Sequence, residues 1–233
     1  MDKYFIVYND KTNLDVNLLI QTRPSKPSPE MDYEEIPVPG GELLYKEKGY
    51  RDIEIPIAFN FASKNANEWN NDFRKAKKWL LSKIDSKLIF SDDLAYFYKV
   101  KKISIETPER VIKRIGRFTV VFTCEAYNYE LEGSKEVQIS AFMFNDGILS
   151  KPIYKVTGEG LLMLNVNGKI VKANVGQNLI IDTNLGLCYR SDGSINNIAL
   201  TGAYEDLYLQ EGENTFEWTS GFNIDIIPNW RCL

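Results

Sequence analysis

Apolar residues recur at every second position through much of the chain's C-terminal part. Leu162, Leu164 and Val166 fall at every second position, Asn167-Gly168 interrupts them, and Ile170 resumes. Leu179 and Ile181 alternate again, Asp192-Gly193 marks another break, and Phe222, Ile224 and Ile226 run up to Pro228. A strand turns successive side chains to opposite faces, so this period of two is the mark of half-buried strands. Asn-Gly predicts a two-residue hairpin turn, because both central residues need a positive φ that Asn and Gly adopt cheaply. Several short strands at even spacing predict a β-sandwich over residues 134–233.

The N-terminal part, residues 1–133, mixes this period with a helical one. Tyr4–Tyr8 and Leu14–Ile20 read as two strands, and Ile53, Ile55 and Ile57 as a third. Lys87–Phe90 precedes a turn at Ser91-Asp-Asp93. Tyr96–Ile105, with Tyr98, Val100, Ile103 and Ile105 apolar, then pairs antiparallel with a strand through Phe118, Val120, Phe122 and Cys124, and Pro108-Glu-Arg110 forms the tip or a wide loop between them. Trp69, Phe73, Ala76, Leu80 and Ile84 recur at helical spacing and predict one helix over about residues 64–84, with Ser63 as its cap. Lys75, Lys77, Lys78 and Lys83 fall largely off that face and read as its solvated side. The fold class is therefore mainly β with one prominent helix.

Between the second and third strands the pattern lapses. The prolines of Arg23-Pro-Ser-Lys-Pro-Ser-Pro29 preclude a regular element and favour an extended, surface-lying segment. It continues past Val38-Pro-Gly-Gly41, and regular structure is expected again near Tyr50. A connection this long in a compact domain either has a role or is disordered. The two readings are a flexible loop and an arm or hairpin that reaches a neighbouring subunit, with Pro27, Pro29, Val38 and Tyr45 as arm residues.

Composition narrows the chemistry. At 233 residues the chain suffices for two ordinary domains, and the boundary is expected after Cys124-Glu-Ala-Tyr-Asn-Tyr129, near Gly133. Residues 1–133 carry 21 basic and 21 acidic side chains, whereas residues 134–233 carry 7 and 11, so the whole net charge of −4 sits in the second part. No stretch approaches a membrane span and the N-terminus lacks the apolar run of a signal peptide, which predicts synthesis in the cytoplasm and no membrane partner. Cys124, Cys188 and Cys232 lack metal-ligand spacing, and the first two read as small strand residues. No metal or other cofactor is implied. Histidine is absent, which excludes Ser-His-Asp and Cys-His nucleophile systems and the His-Glu-x-x-His zinc site. Two carboxylates suffice for a glycosidase, yet nothing singles out a pair among the 32 acidic residues. From Lys99 to Arg117 there are seven basic and two acidic residues, a local net of +5 that reads as a solvated edge guarding against strand pairing, or as a phosphate contact.

Several short pieces, taken in order, carry a resemblance. They are Ile36-Pro-Val-Pro-Gly-Gly41, the strand at Ile53–Phe59, the Trp69 helix closing on Trp79-Leu-Leu81, Leu88-Ile-Phe90 with Asp92-Asp93, and Phe118–Cys124. Then come Asn145-Asp-Gly147, Ser150-Lys-Pro-Ile-Tyr154, Gly158-Glu-Gly160, Leu164-Asn-Val-Asn-Gly168, Ile180-Ile-Asp182, Tyr189, Leu209 with Gly212-Glu-Asn214, and Ile226-Ile-Pro228 with Arg231. In this order and spacing the chain resembles the distal tail protein family of long-tailed bacteriophages over nearly its whole length. The resemblance implies a tail-tube-like N-terminal β domain with a flanking helix that forms a hexameric ring, and a galectin-like C-terminal β-sandwich. It also implies a hub at the distal end of the virion tail. Such a hub joins the tail-tube protein to the tail-associated tip protein and to a receptor-binding protein or fibre, with DNA passing through in transit. That job is structural, with no enzyme activity and no cofactor. Galectins grip sugar with a histidine-containing polar set and a stacking Trp, and this chain has no histidine. Trp218, Trp230, Tyr189 and Tyr204 remain as aromatics able to stack on a sugar ring or meet a partner, although in a sandwich such residues more often fill the core. The alternatives to an assembly hub are a carbohydrate-binding module adhering to the bacterial wall and a carboxylate-based wall hydrolase.

Overall fold

Ile53, Ile55, Ile57, Phe59 and Phe61 are buried while the residues between them face outward, and this strict alternation gives Ile53–Ala62 one core-facing side. The computed structural model describes residues 3–82 and 84–233. Lys83 of the expected solvated helix side lies outside them. The chain divides into two compact units between Asn128 and Tyr129.

The first unit contains β1 (Ile6–Tyr8), β2 (Lys11–Thr12), β3 (Leu19–Ile20), β4 (Met31–Pro37), β5 (Leu43–Tyr50), β6 (Ile53–Ala62), α1 (Trp69–Leu81), β7 (Lys87–Phe90), β8 (Asp93–Ile105), β9 (Glu109–Ile112) and β10 (Ile115–Glu130). Its main sheet has the order β2-β1-β7-β8-β10-β6-β3, with β9 also paired to β10. Register along β10 and β6 is continuous from Ile115 opposite Ala62 to Cys124 opposite Ile53. The helix covers one face of the sheet. Trp79 meets Tyr8 and Phe59 edge to face, Phe73 stacks on Phe61 and meets Phe118 edge to face, and the Trp79 indole N–H donates to the Tyr8 carbonyl at 2.7 Å.

The structure shortens the expected helix at both ends. Ser63 is no cap: its backbone N–H donates to the Arg114 carbonyl and its hydroxyl is buried without a partner. The Asn65 side chain instead accepts from the amides of Asn67 and Glu68, which holds a turn ahead of Trp69. At the other end Ser82 turns extended, so Ile84 leaves the face and is 65% exposed, while Trp79 joins Trp69, Ala76 and Leu80 in the core. Asn9 fixes this exit. Its amide nitrogen donates to the carbonyls of Trp79 and Ser82, and its oxygen accepts from the amides of Ile84 and Asp85. The second N-terminal strand is also corrected: Asn13–Val16 is a 3-10 turn closed by a Thr12–Asp15 capping box, and only Leu19–Ile20 is strand. Pro108-Glu-Arg110 runs into β9 rather than forming a wide loop.

The second unit, Tyr129–Cys232, contains β11 (Val137–Gln138), β12 (Phe142–Asn145), β13 (Ile153–Val166), β14 (Lys169–Asp182), β15 (Leu187–Tyr189), β16 (Leu200–Thr201), β17 (Gly212–Trp218), β18 (Asn223–Ile227) and β19 (Arg231–Cys232). Sequence patterning put the start of this unit near Gly133. Gly133 packs inside the unit, where a β-carbon would come within 2.8 Å of the Trp230 side chain and its carbonyl accepts from the Asn229 amide at 2.7 Å.

The hairpin β13–β14 organises this unit. Asn167 and Gly168 both have positive φ, 53° and 83°, and close a two-residue turn from which residues pair without interruption to Ile153 opposite Asp182. That register puts Ile170 opposite Asn165 on the outer face, 58% exposed, whereas Val171, opposite Leu164, points inward. The alternation that resumes at Ile170 is therefore one position out of phase with the core. The other edge of β13 pairs β18 along Ile153–Thr157 and β17 along Leu164–Val166. Between these stretches Gly158 and Gly160 have φ of +151° and +110°, which lets the strand change partners and close the unit around its core. The fold is mainly β with one α-helix, as the sequence implied.

Most of the pieces that carried the resemblance in this unit are buried fasteners. Asn145 is fully buried and donates to the carbonyls of Ile148 and Gln210 while accepting from the Gly147 amide. Asn214, equally buried, donates to the Gln210 and Gly212 carbonyls. The Tyr154 hydroxyl donates to the Leu207 carbonyl at 2.8 Å from inside the core, and Arg231 donates to the Leu149 carbonyl. Each satisfies backbone groups that loops would otherwise bury unpaired.

Candidate assembly surfaces

Met31–Tyr50, within the segment read either as a flexible loop or as an arm or hairpin, is a β-hairpin. β4 and β5 pair from Met31 opposite Tyr50 to Pro37 opposite Leu43 and form a two-stranded sheet of their own. The prolines flank the strands instead of interrupting them, which is where strands tolerate proline. Gly40 and Gly41, with φ of +122° and +88°, make the tip, closed by the Val38 amide on the Glu42 carbonyl. At the base the Arg51 guanidinium donates to Asp32 at 2.6 Å, and the Arg51 amide donates to the Glu30 carbonyl. That guanidinium holds the Asp32 carboxyl below the usual carboxylate range.

Directly opposed residues share a face, so Tyr33, Pro37, Leu43 and Tyr45 lie on one side of this arm and Ile36 and Leu44 on the other. Leu43, Leu44 and Tyr45 are 50%, 56% and 57% exposed, and the Tyr33 and Tyr45 rings meet edge to face at 6.4 Å. A hairpin with apolar residues open on both faces is neither a solvated loop nor a core element. Of the four residues assigned to the arm from sequence, Val38 is at the tip and Tyr45 on β5, both exposed; Pro27 and Pro29 lie in the lead-in before β4. Sequence reasoning overlooked Tyr33, Leu43 and Leu44, although Ile36 and Leu44 around Gly40-Gly41 carry a hairpin signal.

A second open region lies where β3, β6, β9 and β10 meet. Leu19, Phe61, Ala62, Val111 and Ile115 line an apolar cleft with Arg117 at its rim. The basic segment Lys99–Arg117 splits here. Lys101 pairs with Asp52, the Arg110 guanidinium caps the Lys113 and Ala66 carbonyls over the Trp69 ring, and Arg114 donates to the Lys64 carbonyl. Lys113 and Arg117 are exposed.

The four aromatics proposed for sugar or partner contact are half-buried. Trp218, Trp230 and Tyr204 pack against the core of the second unit, and the Tyr204 hydroxyl donates to the Cys188 sulfur at 3.4 Å. Tyr189 pairs with Ile180 on β15 and bridges to Ile195. Burial raises the phenol pKa of both tyrosines. A cleft in this unit is lined by other residues, among them Glu136, Lys155, Asn178, Ser191 and Asp225. Part of the surface of Trp218, Trp230 and Tyr204 is therefore committed to the core.

Among the described residues no group of acidic, Cys or His side chains is placed to hold a metal. Cys124 and Cys188 are buried, and burial pushes the Cys124 thiol up to about 12. Asp15 and Asp192 are, like Asp32, held low by hydrogen bonds, from Thr12 and Ser194 respectively. A general acid needs the opposite displacement.

Among curated proteins nothing matches the chain. Its fold is similar to that of the Dit (gp 19.1) protein of phage SPP1, a paradigm of the hub adsorption apparatus in phages infecting Gram-positive bacteria. That match has a TM-score of 0.66 at 17% identity and covers 97% of this chain and 98% of that one. Structures of the phage P2 baseplate in its activated conformation, with Ca and with Sr, match with TM-scores of 0.53 and 0.52 at 8% and 9% identity. They cover 99% and 96% of this chain and 98% and 97% of those chains. Residues 5–124, essentially the whole first unit, match the phage tail protein RIFT-related domain, and the chain belongs to that family.

Proposed function

We propose that this protein is a distal tail protein: a structural hub whose copies join into a hexameric ring at the end of a phage tail. The ring connects the tail-tube protein on one side to the tail-associated tip protein on the other, and carries a receptor-binding protein or fibre. DNA passes through its central channel and is not retained, for which a net charge of −4 is suited because duplex binding draws on Lys and Arg contacts. The protein turns over no substrate.

The observation that carries this reading is the arm. A closed ring requires each copy to offer one surface that its neighbour receives on a different one. A hairpin with Tyr33, Leu43, Leu44 and Tyr45 open to solvent is such an offered surface. Membership of a phage tail family and the fold shared with a hub protein support the same assignment. Light scattering on the eluting protein, followed by negative-stain imaging alone and with the tail-tube protein, tests it. A six-fold ring with a central hole is the expected particle. A monomer at high concentration that also fails to join tail components would overturn it.

A further inference from the structure

We propose that the arm of one copy docks into the apolar, basic-rimmed cleft beside β9 on a second copy. This rests on the self-assembly proposed above and specifies where the grip is made. Charge is the first argument. Met31–Tyr50 carries five acidic residues against Lys46 and Lys48, a net of −3. Residues 109–117, at the cleft, carry Arg110, Lys113, Arg114 and Arg117 against Glu109, a net of +3. Opposed potentials on two surfaces steer and orient their encounter.

Apolar character is the second argument. The arm presents Leu43, Leu44 and Tyr45 without cover, and the cleft presents Leu19, Val111 and Ile115 around Phe61. An apolar centre ringed by charge is the usual anatomy of a specific interface.

Placement is the third. The arm enters β6 at Ile53, and the cleft lies at the other end of that strand, where Ala62 opposes Ile115. Ten strand residues separate the two by about 30 Å. Two complementary surfaces at opposite ends of one sheet form a head-to-tail pair between copies, the arrangement that generates rings.

Charge reversal tests this with exposed residues only. In the arm variant Glu34→Lys and Glu35→Lys are combined; in the cleft variant Lys113→Glu and Arg117→Glu are combined. Each variant alone sets like charge against like, and its self-association, measured by sedimentation velocity, is expected to weaken by about ten-fold or more. Mixed in equal amounts the two are expected to associate again, because each arm then finds a cleft of opposite sign. Circular dichroism of each variant reports that it is folded. Wild-type protein that assembles while both variants assemble equally well would overturn the docking and leave the hub intact. Folded variants that stay apart when mixed would also overturn it. Wild-type protein that never self-associates, either alone or with the tail-tube protein, would sink both.

Discussion

Two hairpins of this chain share a backbone pattern and meet opposite surroundings. In β13–β14 one face is core on both sides of the Gly158–Gly160 break: Tyr154, Val156, Leu162, Leu164 and Val166 on one strand face Val171, Ala173, Val175, Leu179 and Ile181 on the other. A one-residue slip would turn all of them outward, so burial sets the register as firmly as the Asn-Gly turn does. In β4–β5 no face is core. Its register rests on the Gly40-Gly41 tip, the Asp32–Arg51 clasp and a bulge between Asp32 and Tyr33. Isolated two-stranded hairpins are marginal in water. The first hairpin makes a fold, and the second leaves its apolar surface open to solvent.

Truncating one apolar side chain in each hairpin should give the largest divergence. Leu164→Ala empties a fully enclosed position and is expected to destabilise the second unit by about 3 kcal/mol. Leu44→Ala removes a side chain that is 56% exposed, so in dilute protein its effect should stay within about 0.5 kcal/mol. Urea unfolding of both variants measures the gap. If Leu44→Ala proved as destabilising as Leu164→Ala, the arm would be packed on its own chain and the contrast would vanish.

The same contrast explains what the sequence disclosed. Alternation around Ile53–Phe61 and Phe118–Cys124, and the Asn167-Gly168 turn, are local consequences of burial on one face, and they reappear in the structure where patterning put them. Helix termination is not local. Asn9 closes α1 from some seventy residues upstream, and nothing near Leu81 announces it. The segment was legible as an outlier, a flexible loop or an arm or hairpin, but its strands could not be placed, because Pro24, Pro27 and Pro29 masked strands that begin just after them. The cleft is assembled from Leu19, Phe61 and Val111, which no spacing rule connects. Asn145 and Asn214 lent themselves to family recognition because they fasten loops, and the same fact removes them from the candidate site.

Turn chemistry separates the two hairpins by a smaller margin. Asn167 sits at a φ of 53° and its side chain also accepts from the Thr215 amide and donates to Asn214, both at 2.8 Å. Asn167→Ala forfeits the conformational preference and the bonds together, an expected loss of about 2 kcal/mol. Asn167→Gly keeps the conformation and loses the bonds, an expected loss of about 1 kcal/mol. Thermal unfolding of the pair divides the two contributions. In the arm, a β-carbon added at Gly40 or Gly41 would meet no heavy atom within 4 Å, so substitution there encounters only backbone strain.

The smallest effect belongs to the clasp at the arm's base. Hydrogen bonding and charge from Arg51 depress the Asp32 pKa in the folded protein, and Asp32 correspondingly raises that of Arg51. A depressed carboxyl contributes stability above the ordinary carboxylate pKa of about 3.9 and loses it as pH falls through the lower folded value. Arg51 stays charged throughout, so the clasp opens only on the acid side. Both groups face solvent, and salt screens them, so the consequence should be confined to the arm. Hydrogen exchange of the Arg51 amide, which donates to Glu30 at 2.9 Å, reads this directly. Its protection factor should fall as the pH drops below the ordinary carboxylate pKa of about 3.9 in the wild type. In Asp32→Asn it should be lower at the outset and flat across that range. Equal pH dependence in both proteins would assign the change to some other carboxyl and remove the clasp from the arm's register.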